Sequence, residues 1–139
     1  MKVKNEPTLS VYEPMANPIM IVDDHEDTGN TYHIFLKDMN CVLSPNRDAA
    51  IACINAGTIP SCIVMDYSMP GMSLQTFIEK IESLHIPIVL VSAIFDADLL
   101  AKNIGLRYYL PKSATPEAFR ATVRCAIQSE AALRATSIS

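Results

Sequence analysis

The sequence predicts a doubly wound α/β sandwich, a parallel sheet of five strands with helices on both faces. Five short apolar runs recur along the chain without in/out alternation, as strands buried on both sides require. Segments with helical apolar spacing separate them. Right-handed crossovers between parallel strands then distribute the helices over both faces of one sheet. The 139 residues, half of them apolar, suit one domain with one core.

Residues 1–17 carry Pro7 and Pro14, show no periodicity, and read as an extended or disordered leader. The domain is expected over 18–130, with 131–139 as a C-terminal tail or the start of a linker. "PIMIV" (18–22) is the first strand, and the helix after it spans 26–39 with Tyr32, Phe35, Leu36 and Met39 on one stripe. "CVL" (41–43) precedes a helix over 47–56 that carries Ile51 and Ile54 and stops at Gly57, which tolerates the left-handed geometry of a helix end. "CIVM" (62–65) leads to a helix over 73–83, starting at Ser73 and burying Phe77, Ile78 and Ile81. "IPIVLV" (86–91) leads to a fourth helix over 96–104, capped by Asp96 and ended by Gly105. "YYL" (108–110) is followed by "TPE": Thr115 caps, Pro116 takes the first helical position, and Glu117 suits the helix dipole ahead of Phe119, Val123 and Ile127.

The formal charge of -4 comes with 11 dispersed cations, so no basic face is available for nucleic acid. The N-terminal stretch has no continuous apolar core, which argues against a signal peptide or a membrane span and for a cytoplasmic protein. Cys41, Cys53, Cys62 and Cys125 have no CxxC spacing and read as reduced, buried small hydrophobes.

In a doubly wound sheet, ligands bind at the carboxyl ends of the strands. The first strand exits into Asp23 and Asp24, the third into Asp66, the fourth into Ser92 and Ala93, and the fifth, after Pro111, into Lys112. A lone strand-exit Asp or Ser most often caps a helix or opens a turn, and a lone Lys is a surface cation. That account must be invoked separately at four sites on one edge. Three carboxylates within about 5 Å would repel by roughly 3 kcal/mol per pair at an effective dielectric near 20. They call for a cation, and an all-oxygen set suits Mg²⁺ with several waters retained. His25, His33 and His85 are not spaced as a metal cluster, and His25 reads as a neighbour of the acidic pair.

"IVDD", "IVMDYSMPGM", "VSA" and "YYLPKS", in this order and at these separations, resemble the receiver domain of two-component response regulators. The resemblance covers about residues 18–130 and implies a flavodoxin-like sheet of order 2-1-3-4-5. It implies that Asp66 accepts a phosphoryl group from a phosphohistidine of a histidine kinase or histidine phosphotransfer protein. An ionised carboxylate needs no base for this. It further implies that Asp24 binds Mg²⁺ directly, that Asp23 does so through water, and that Asp66 and the Ser68 carbonyl complete the set. Lys112 would neutralise a phosphoryl oxygen. Ser92 stands at the family's switch hydroxyl and Tyr109 at its switch aromatic, altering the face of the fourth helix, fifth strand and fifth helix that meets a downstream protein target. A half-buried edge aromatic with a wet hydroxyl is the competing reading of Tyr109, and Tyr108 fits an aromatic count as well.

Pro70 and Gly71 make a tight loop behind the acceptor under either reading. Two positions depart from the family's pattern: Leu74 where Gly is common and Ser113 where Pro follows the lysine. Neither removes a group that phosphorylation needs. The expected activity is signalling by self-phosphorylation and dephosphorylation rather than turnover, with no membrane or direct nucleic-acid partner and a homodimer open. The competing functions are a phosphorylation-independent interaction module on the same fold and an Asp-nucleophile phosphatase. The latter lacks the general acid two residues after its nucleophile, where Ser68 stands.

Overall fold

The computed structural model describes residues 17–93 and 104–138. The strands are β1 (Ile19–Val22), β2 (Cys41–Ser44), β3 (Cys62–Asp66), β4 (Ile88–Ser92) and β5 (Tyr108–Pro111), and the helices are α1 (Glu26–Phe35), α2 (Arg47–Asn55), α3 (Leu74–Ile81) and a C-terminal helix α4 (Pro116–Ile138). A 3₁₀ turn, Glu82–Leu84, follows α3. The expected leader, apart from Asn17, and the stretch read as a fourth helix up to 103 lie outside the described residues.

All four strand pairings are parallel, as the apolar runs predict, and the sheet order is β2-β1-β3-β4-β5, as the family resemblance implies. Successive strand residues point to opposite faces, and each face carries its own core. Ile19, Ile21, Cys62, Val64, Val89, Val91 and Leu110 meet Tyr32 and Leu36 of the α1 segment and Phe119, Val123 and Ala126 of α4. Met20, Val22, Ile63, Met65, Ile88 and Leu90 meet Ala50 and Ile54 of α2 and Leu74, Phe77 and Ile81 of α3. Tyr32 and Phe119 stack with ring centroids 4.7 Å apart, and Phe35 closes on Phe119 edge-on at 5.3 Å, so three aromatics join α1 to α4.

The capping expectations hold where they can be read. Ser73 Oγ accepts from the Thr76 amide at 3.1 Å, Thr115 Oγ1 accepts from the Ala118 amide at 3.1 Å, and Gly57 and Gly105 take positive φ. The cysteines need correction: Cys62 is buried, Cys41 and Cys53 are half-buried, and Cys125 is exposed on the outer side of α4. Apolar neighbours in sequence do not bury a residue whose helical position faces outward. All four are free thiols, and burial pushes Cys62 up to about 12.

Candidate functional site

The parallel ladder continues one residue past several strands and so fixes the residues at their exits. The Asp23 amide donates to the Ser44 carbonyl at 3.1 Å, the Tyr67 amide to Val91 at 2.8 Å, and the Lys112 amide to Ser92 at 3.1 Å. Asp66 and Ser92 are themselves the last residues of β3 and β4. Asp23, Asp66 and Ser92 are buried at 6%, 1% and 2% exposure, an unusual fate for polar side chains unless something engages them.

One ligand atom from each of Asp23, Asp24, His25 and Asp66 lies within 4.8 Å of the others. Lys112 Nζ approaches Asp66 Oδ2 at 3.4 Å, and Asp23 Oδ1 accepts from the His25 amide at 2.8 Å. The remaining oxygens, Asp23 Oδ2 and Asp66 Oδ1, are buried without a hydrogen-bond partner. Such an orphaned oxygen costs about 1–3 kcal/mol, more when charged. Burial raises the Asp23 carboxyl above its usual value; the His25 amide opposes this, the Asp66 charge adds to it, and Lys112 and Asp24 follow with smaller effects of opposite sign. His25 Nδ1 sits 3.1 Å from Asp24 Oδ1 and 3.6 Å from Asp23 Oδ1, flanking the acidic pair as expected. Two orphaned buried oxygens beside a third, exposed carboxylate form an oxygen donor set that fits a hard divalent cation.

A family model described as the response regulator receiver domain matches residues 19–124. The chain belongs to the response regulator receiver family. No curated protein matches it significantly. Among solved structures, it is similar to the N-terminal domain of a response regulator/sensory box/GGDEF 3-domain protein from Carboxydothermus hydrogenoformans, with 22% identity, TM-score 0.72, and coverage of 87% of this chain and 98% of that one. A CheY-like receiver domain protein from Methanospirillum hungatei matches with 17% identity, TM-score 0.70, and 82% and 95% coverage. A response regulator receiver domain protein from Clostridium thermocellum matches with 20% identity, TM-score 0.70, and 84% and 98% coverage. At these identities the likeness establishes the fold; the family model carries the membership.

The receiver's other expected site residues fall as follows. Ser68 is exposed in the loop after β3 and lines, with Asp24, His25 and Arg47, a groove beside the carboxylates. Tyr109 is 39% exposed, whereas Tyr108 packs against the α1/α4 core, so the two tyrosines are no longer interchangeable. Leu74, one of the departures from the family's pattern, is buried as the first residue of α3. No described peptide bond is cis, including the one between Lys112 and Ser113. No helix among the described residues is long and apolar enough to cross a membrane.

One residue of the site escaped the sequence reading. Arg47, at the first turn of α2, is only 2% exposed and turns inward under the loop that follows β3. Its guanidinium donates to the carbonyls of Asp66 (3.2 Å), Tyr67 (2.9 Å) and Met72 (2.9 Å), and its Nε lies 3.3 Å from Met65 Sδ. A single basic residue in a helical segment looks like an ordinary surface cation, and nothing in its spacing distinguishes it.

Proposed function

We propose that this receiver accepts a phosphoryl group on Asp66 in a two-component phosphorelay. The donor is a phosphohistidine on a histidine kinase or histidine phosphotransfer protein. An Asp66 carboxylate oxygen attacks phosphorus, the phosphorus–nitrogen bond breaks, and the imidazole leaves with its electron pair. The observation that carries the reading is the asymmetry of Asp66: Oδ2 faces the Lys112 ammonium at 3.4 Å while Oδ1 is buried and unpartnered within the carboxylate cluster.

Asp23, Asp24, Asp66 and the Ser68 carbonyl would hold Mg²⁺. When bound, the ion offsets carboxylate repulsion and neutralises phosphoryl charge. Lys112, 34% exposed and flexible, follows an incoming phosphoryl oxygen as a point charge. Ser92 Oγ, at the end of β4, turns towards the new phosphoryl oxygen. Tyr109 rotates inward into the space released, changing the surface around β5 and α4 that a downstream protein target reads. The chain then acts as a cytoplasmic signalling module, with residues 18–130 as the working domain between a leader and a tail, and promotes only its own phosphorylation and dephosphorylation.

The test is direct. With Mg²⁺ and a small phosphodonor, intact-mass spectrometry should find one modification on wild-type protein at Asp66, and BeF₃⁻ with Mg²⁺ should bind there. Asp66→Asn should abolish both. Wild-type protein that fails both assays overturns the proposal. Multiple turnovers of a phosphomonoester would indicate a phosphatase instead, and no Mg²⁺ binding by calorimetry an interaction module.

A further inference from the structure

We infer that Arg47 is a positioning residue for the acceptor loop: from α2 it holds the backbone on which the Ser68 carbonyl and amide are presented to the metal and phosphoryl group. The inference rests on the function proposed above and deepens it.

A buried arginine is costly, and burial lowers its own pKa. Among the described residues its guanidinium bonds to no carboxylate; three bonds go to carbonyl oxygens at the end of β3 and in the loop after it, at Asp66, Tyr67 and Met72. A planar fork can span three such acceptors where an ammonium or an apolar side chain cannot. Packing alone would be served by an uncharged residue of similar volume, so the charge and the fork point to the loop as their purpose.

The hydrogen bonds fix peptide planes as well as distances. The Asp66–Tyr67 plane is held at both ends, its carbonyl by Arg47 and its amide by the Val91 carbonyl at 2.8 Å. The Tyr67–Ser68 plane is held through its carbonyl by Arg47 at 2.9 Å, and in a trans peptide this turns the Ser68 amide away from the guanidinium. Ser68 itself is exposed, so without this hold its backbone has little to orient it.

The anchor is itself rigid. Asn46 Oδ1 accepts from the Ala49 amide at 2.7 Å, and Ser44 Oγ donates to the Asn46 carbonyl at 3.2 Å, so the start of α2 is fixed independently of the loop. The loop approaches α2 again at Gly71, with φ +91, where a Cβ would lie 3.4 Å from Asp48 Oδ2. Lys112 therefore acts on the Asp66 side chain from the exit of β5, while Arg47 acts on the loop backbone from α2.

The experiment compares wild type, Arg47→Met, Arg47→Lys and Ile86→Ala, the last matched as a destabilised control distant from the loop. Calorimetry reads the Mg²⁺ Kd, thermal denaturation reads Tm, and hydrogen exchange of the Tyr67 to Met72 amides is read without metal. Arg47→Met should raise the Mg²⁺ Kd by about 10-fold or more, as loss of outer support around metal ligands does. Arg47→Lys should fall between it and wild type, and Ile86→Ala should leave the Kd unchanged. Loop exchange should quicken in both Arg47 variants only. An Arg47 variant with wild-type Kd and wild-type loop exchange overturns the inference, and if Arg47→Met does not fold, Arg47→Lys decides. Should wild type bind no Mg²⁺, the phosphoacceptor reading falls, and exchange alone then decides whether Arg47 holds the loop.

Discussion

The two ends of one sheet differ in what they do with polar groups. At the amino ends of the strands the backbone closes on itself: Ile19 donates to Asn40 at 2.7 Å, Ser61 to Pro18 at 2.9 Å and Ile63 to Pro87 at 2.9 Å. Ile19, Cys62, Ile86 and Ile88 fill the space with apolar atoms. At the carboxyl ends the same ladder persists, yet it delivers buried Asp23, Asp66 and Ser92, with two carboxylate oxygens left unpartnered. Ladder hydrogen bonds run to both ends; the polar side chains at the strand exits and the loops that follow make one end a charged receptacle. Burying unpartnered carboxylate oxygens costs stability at that end, and the binding proposed above would offset the cost.

The largest effect should come from Asp66→Asn, which removes all modification by a phosphodonor. Because it also relieves carboxylate repulsion, the metal-free variant should melt no lower than wild type. A loss of several degrees would mean that Asp66 supports the fold, and the contrast between the ends would break. Ile86→Ala, at the apolar end, should do the reverse and cost about 2 kcal/mol in denaturant unfolding, with Mg²⁺ affinity intact. If affinity fell in proportion, the ends would not be separable. Thr115→Ala removes the cap of α4 close to Lys112, and should cost about 1 kcal/mol without changing phosphorylation once folding is matched.

The smallest effect concerns Asp23. Burial raises its folded-state pKa above the ordinary 3.8, so its charged form disfavours the fold. Its contribution to metal-free stability should therefore increase as pH falls through the raised value towards 3.8, against the general trend of acid denaturation. Mg²⁺ affinity should fall across the same window, because the proton competes with the cation. Thermal melts and calorimetry at stepped pH, with Asp23→Asn as reference, isolate this contribution. Equal pH slopes in wild type and variant would remove Asp23 from the site.

Much of this was legible locally. Apolar runs marked every strand, but each of β2 to β5 extends one residue beyond its run, to Ser44, Asp66, Ser92 and Pro111, because ladder pairing is a backbone property that polarity does not end. The apolar stripe of the first helix packs as its spacing predicts, but the regular helix is shorter than the stripe. Regular helix ends at Phe35 and the Lys37 amide tightens to Ile34, while Leu36 and Met39 still reach the core. Cys125 is exposed against the expectation of burial, because apolar neighbours say nothing about which way a helical residue faces.

Order of elements, fold class and the residue types at each strand exit were determined by the sequence, because periodicity and chain order are local quantities. Which oxygens are orphaned, which tyrosine faces outward and where Arg47 points were decided only by the tertiary structure. Lys112 meets Asp66 across 46 positions and Arg47 meets the Asp66 carbonyl across 19. Contacts of that separation exist only after strands and helices have packed, since it is packing that removes water and assigns each polar atom its partner or leaves it without one.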